Sequence, residues 1–95
     1  MSYRLRPRAE RDVYEIMSYI GKHNPRAALR WQDEIYATFQ LLCSMPGIGA
    51  ARETSRLKSR MFSKDGYLIF CRPDDEGIEI LRVLHAARDW PKLLR

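Results

Sequence analysis

The spacing of apolar residues changes period along this chain, and the changes outline its elements. The opening "YRLR" alternates apolar and basic residues and stops at Pro7, which predicts a short strand over Tyr3 to Arg6. From Pro7 the period lengthens: Ala9, Val13, Ile16, Met17 and Ile20 fall on one helical face, and proline suits a first turn whose amide needs no partner. This helix is expected to end near Gly21 to His23. Asn24 then offers a cap and Pro25 a second helix start, with Ala28, Trp31, Ile35, Phe39 and Leu42 as the main apolar face up to about Ser44. Two amphipathic helices joined by about three residues predict an antiparallel hairpin.

After the Pro/Gly stretch "MPGIG" the period returns to two. "SRLKSRMF", "YLIFCR" and "IEILRVLH" are separated by the turn signals "SKDG" and "PDDEG", which predicts three antiparallel strands in a meander. "RDWPKLLR" is expected to form a short C-terminal turn or helix. The fold class expected is α+β: one domain over residues 1–95, in the order β-α-α-β-β-β, with the helix hairpin packed on one face of an antiparallel sheet.

Composition narrows this. A chain of 95 residues can bury one hydrophobic core, and 45% hydrophobic with 31% charged residues describes a water-soluble domain. No apolar run approaches the roughly 18 residues of a membrane span, and "MSYRLRPRAERD" lacks the apolar segment of a signal peptide. A cytoplasmic location is therefore expected, with Cys43 and Cys71 as buried reduced thiols, far apart and without zinc-ligand neighbours.

A formal net charge of +5 favours an acidic partner, whether nucleic acid, a protein segment or an anionic surface. The excess is concentrated: residues 45–72 hold six Lys/Arg against two Asp/Glu, whereas residues 73–95 hold four against five. Arg56, Lys58 and Arg60 alternate with Leu57 and Met61, and with Lys64 and Arg72 they form a basic stripe. The second helix has more apolar surface than one sheet contact requires. Leu29, Tyr36 and Cys43, spaced by seven, form a second seam, read either as a wide core stripe or as a groove for a partner segment.

His85, at the expected end of the last strand, has Arg82 three residues before it and Arg88 three after. Such a histidine is either a hydrogen-bonding corner of the scaffold or the base of a metal-independent RNA-cleaving site. The carboxylates Glu10, Asp12 and Glu15 share a helix with Arg8 and Arg11 and are expected to form a solvated charged face. No phosphate-binding glycine loop, nucleophile elbow or metal motif occurs, and no cofactor is implied.

Taken in order, "AERDVYEIMSYIGKHNPRAALRW", "LLCSMPGIGAARE", "GYLIFCR" and "IEILRVLHAARD" resemble the ParE branch of the RelE/ParE toxin superfamily, from about Tyr3 to Leu94. The resemblance implies the toxin half of a bacterial type II toxin–antitoxin pair with no catalytic residues of its own. Such a toxin inhibits DNA gyrase on DNA and is neutralised by a ParD-type antitoxin in a hetero-oligomer. Combined with the seam, the basic stripe and the C-terminal tail, the resemblance leads to expected antitoxin contacts at Leu29, Trp31, Tyr36, Arg56, Lys58 and Arg60, and expected gyrase- or DNA-facing groups at Lys64, Arg72, Arg88 and Trp90. No membrane is implied. The RelE branch, which cuts mRNA on the ribosome, is the alternative activity, with Arg60, Arg82 and His85 as its site. Its histidine–tyrosine pair is absent here, because Ala86 follows His85 and no tyrosine occurs after Tyr67. A basic binding module without toxicity is a third reading.

Overall fold

A computed structural model describes residues 2–44, 50–52 and 59–88. Strand β1 (Ser2–Leu5) leads into helices α1 (Pro7–His23) and α2 (Pro25–Ser44), followed by β2 (Ala50–Arg52), β3 (Ser59–Lys64), β4 (Tyr67–Asp74) and β5 (Gly77–His85). The strands form one sheet in the order β1-β5-β4-β3-β2. The expected β-α-α-β-β-β succession is present, with β2 as an additional three-residue strand antiparallel to β3. The sheet is mixed rather than antiparallel throughout, because β1 lies parallel to β5, pairing Ser2 with Gly77 and Leu5 with Ile80. A β-α-α crossover brings the chain back from the first strand, and a crossover permits parallel pairing where a tight hairpin does not.

The helix hairpin is tighter than its spacing suggests. Asn24 alone separates the helices: its amide donates to the Ile20 carbonyl, closing α1, and its side-chain oxygen accepts from the Ala27 amide at 3.1 Å, opening α2. One asparagine thus satisfies orphan groups of two helix ends. The helices are in close contact there: a Cβ at Gly21 would stand 3.6 Å from the Ala28 Cβ, an ordinary packing distance.

On the helix-facing side of the sheet, Ala9, Val13, Ile35, Phe39, Leu42 and Cys43 meet Ile69, Cys71, Ile78, Ile80 and Val83. Cys43 and Cys71 are free, buried thiols, and burial pushes the Cys71 thiol up despite the opposing pull of Arg60. A second cluster, Leu68, Phe70, Leu81 and Leu84, is buried on the far side. Between Phe70 and Cys71 the register shifts, so that Phe70 faces Arg82 and Cys71 faces Ile80, leaving Leu81 as an extra residue. This bulge switches the inward parity of β5 from Ile78 and Ile80 to Val83, which a regular strand could not do.

Two tight turns shape the sheet. Asp65 (φ 50°) and Gly66 (φ 85°) form the β3–β4 hairpin turn, whose positive φ values match the right-handed strand twist. Gly77 (φ 143°) stands against the β1 backbone, and a Cβ there would fall 1.8 Å from the Ser2 carbonyl oxygen. No helix among the described residues is long and apolar enough to cross a membrane.

Candidate functional site

Asp12 joins α1 to β5. It is 3% exposed, and its carboxylate accepts from Arg82 Nε at 2.7 Å, from a second Arg82 nitrogen at 3.1 Å, and from the Val83 amide at 3.0 Å. Arg8, one turn earlier, stands 3.8 Å away. Asp12 therefore departs from the solvated face expected of the α1 carboxylates, while Glu10 and Glu15 remain exposed. Asp12 is buried and its partner is largely so, with the Arg82 side chain 11% exposed. Its forked geometry supplies the hydrogen bonds a desolvated carboxylate needs.

Beside this pair a cleft of about 430 Å³ opens between α1 and the end of the β4–β5 hairpin. Ile16 and Val83 supply apolar lining, Tyr19 and Tyr67 aromatic lining, and Glu15, His85 and Arg88 the polar remainder, with Asp12 at its edge. Cross-strand pairing puts Tyr67 opposite His85, with the rings edge-on at 5.1 Å between centroids. Trp31 of α2 stands against Tyr67 on another side at 5.4 Å. Burial pushes the Tyr67 phenol above its ordinary value, helped by Tyr19, so its hydroxyl keeps its proton. His85 Nδ1 accepts from the Ala87 amide at 3.0 Å, which leaves the proton of the neutral ring on Nε2. The Arg88 amide donates to the His85 carbonyl in the same turn.

The groups singled out in the sequence are dispersed. Arg60 and Lys64 share the helix-facing side of β3 with Phe62, whereas Arg72, one residue beyond Cys71, projects to the far side. There Arg72 shares Glu79 with Arg6, at 3.6 and 3.1 Å. Arg4 pairs with Asp74 and Glu76 on β1's neighbouring hairpin, and Lys64 with Asp65. The basic stripe is thus split between two faces and partly neutralised. Arg56, Lys58, Trp90 and the expected C-terminal turn or helix lie outside the described residues.

The second seam of α2 is also divided. Leu29 is 59% exposed, Cys43 is fully buried, and Tyr36 packs on Tyr3 and Phe39 with centroids at 6.3 and 5.6 Å. Of the RelE-type set, Arg82 is committed to Asp12, while His85 lies at the cleft. Arg60 is half-buried on β3, two strands from β5. Tyr67 and Tyr19 escape a sequence reading as neighbours of His85, because both precede it in the chain. Pairing outward from "PDDEG" brings Tyr67 within one residue of His85, and the bulge supplies that residue. Among the described residues no group of His, Cys, Asp and Glu is arranged to hold a metal.

A small α+β domain with a helix hairpin on one sheet face and a mixed polar and aromatic cleft at its end is the class these features define. A family model described as the ParE toxin of the type II toxin–antitoxin system parDE matches residues 3–90, and the chain belongs to that family. The chain is 32% identical to the putative toxin Y4kP of Sinorhizobium fredii over 87 residues, covering 92% of this chain and 90% of the relative. Toxin ParE1 of Caulobacter vibrioides is 31% identical over 84 residues, covering 87% of this chain and 86% of the relative. A solved structure of the chromosomal ParDE toxin–antitoxin system from P. aeruginosa has the same fold, with a TM-score of 0.74 at 22% identity over 90% of this chain and 95% of that one.

Proposed function

We propose that this type II toxin acts by binding DNA gyrase on DNA, and that an antitoxin of the ParD type neutralises it by covering part of its surface. The observation that carries this reading is the family match along residues 3–90, which spans the helix hairpin, the sheet and the turn that bears Arg88. The geometry around β5 supports a toxin that works without bond chemistry of its own. Arg82, which an RNA-cleaving site would aim at a phosphate, spends its forked face on Asp12 in the interior. His85 uses one ring nitrogen to hold the Ala87 turn.

The solved relative comes from a ParDE system, and a protein partner of the ParD type is accordingly expected here. Leu29, the most exposed apolar group of α2, is its proposed contact on that helix. Expression without antitoxin tests the target class: a DNA-damage response with filamentation is expected. Translation arrest with an intact chromosome, abolished by His85→Ala, would replace the gyrase reading with the ribonuclease one.

A further inference from the structure

The cleft beside His85 holds several hydrogen-bond donors that nothing among the described residues engages, with the Glu15 carboxylate, loosely paired to Arg8, in its lining. Both Asp12 oxygens are engaged by Arg82 and the Val83 amide, and the Glu15 carboxylate stands 3.8 Å from Arg8. Among the described lining residues, the Arg88 guanidinium, His85 Nε2 and the hydroxyls of Tyr19 and Tyr67 make no hydrogen bond or ion pair, and all four can donate. They surround apolar lining from Ile16 and Val83. Convergent donors beside an apolar floor fit an anion attached to an apolar body.

We propose that this cleft is an anchor site for a partner polypeptide, receiving an acidic side chain against Arg88 and His85 with the adjacent aliphatic or aromatic side chain seated on Ile16 and Val83. Charge complementarity selects this occupant over nucleic acid. Among the described residues the cleft has one unpaired permanent cation, and Asp12 and Glu15 line it as well, so its net charge is small. Nucleic acid carries a phosphate at every step and is held by surfaces that neutralise several at once. A single carboxylate needs one cation and a few donors, and an apolar neighbour gains from burial that a phosphodiester chain cannot exploit. Arg88 and Tyr19 are exposed in the described structure, and both are therefore open to a partner. The inference extends the binding reading to a second contact besides Leu29, and it stands whether or not gyrase is the target.

The test is an NMR titration of the isolated, isotopically labelled chain with N-acetyl-L-phenylalanine, which joins a carboxylate to an aromatic body. N-acetylphenylalaninamide, phenyl phosphate and a short oligothymidylate are the comparison probes. Saturable shifts at the Val83, Ala87 and Arg88 amides are expected with the carboxylate, at about tenfold higher affinity than with the neutral amide. Arg88→Gln should weaken binding about tenfold and Tyr19→Ala about threefold, both at exposed positions where the spectrum reports an intact fold. Glu15→Gln should strengthen it about two- to threefold by removing a like charge. Arg30→Gln, on the exposed face of α2, should change nothing. Absence of saturable shifts in the folded chain, equal affinity for the neutral amide, or tighter binding of oligothymidylate than of the carboxylate would each overturn the proposal. Failure here would leave gyrase inhibition untouched, because that readout does not use these probes.

Discussion

Asp12 shows how much one side chain can hold in a domain of this size. Asp12→Ala would remove three hydrogen bonds and take the carboxylate away from an Arg82 side chain that is only 11% exposed. A loss of about 3 kcal/mol in urea unfolding is expected. The paired change Asp12→Ala with Arg82→Ala should cost much less than the two single losses added, since it leaves no unpaired buried charge. Additive losses would show that the pair is not coupled. The phenols make a second prediction at this scale. Tyr3 and Tyr67 both have pKa values raised chiefly by burial, so the folded state favours their protonated forms. Their contribution is complete below the ordinary phenol pKa of about 10 and is lost as pH rises through the folded values. Stability should fall on the alkaline side, and Tyr67→Phe should make that fall shallower in a stability profile from about pH 8 to 12; an unchanged slope would contradict it. Charge spacing along α1 gives no sign that Asp12 is buried, because Arg8, one turn earlier, offers it an ordinary helix-surface partner. Its true partner is 70 residues away, beyond the reach of any local pattern.

At the scale of elements, helix and strand periodicity is legible because each face is filled by one chemical class. Both helix starts carry proline, and Asn24 caps as its type suggests. Asn24→Ala should lower stability by about 1 kcal/mol, seen as a drop in Tm with little change in the native spectrum. The parallel place of β1 is not legible, since a four-residue strand that alternates reads the same in either direction. The bulge at Leu81 is hidden for a related reason: "ILRVL" supplies apolar side chains to both faces, so a shift of parity leaves no gap in the pattern. Gly77 is where β1 depends most on one residue. Gly77→Ala combines an unfavourable φ with a clash on the Ser2 backbone and should destabilise by at least about 3 kcal/mol. Hydrogen exchange should show the loss first in the amides paired between β1 and β5, and full protection there would refute this dependence.

For the molecule as a whole, surfaces decide function, and surfaces are what a single sequence shows least. The basic stripe is continuous in sequence, yet alternation and pairing divide it between two sheet faces, with Arg72 held by Glu79. The seam on α2 contracts to Leu29 as its plainly exposed member, so Leu29→Asp should weaken antitoxin binding at least about tenfold in a folded toxin. Tyr36→Asp, placed against Tyr3 and Phe39, should instead lower stability, which separates a partner contact from a core contact. Unchanged affinity for the Leu29 variant by titration calorimetry would move the antitoxin interface elsewhere.

The central claim is that this ParE-family chain stops gyrase by binding it. A supercoiling reaction with purified DNA gyrase, relaxed plasmid and ATP, titrated with the isolated chain, tests that claim directly. The account predicts loss of supercoiling with accumulation of linear, enzyme-bound plasmid, relieved by adding the antitoxin and retained in His85→Ala. Full supercoiling at a large molar excess of folded, cell-toxic protein would contradict it and turn attention to ribosome-bound mRNA.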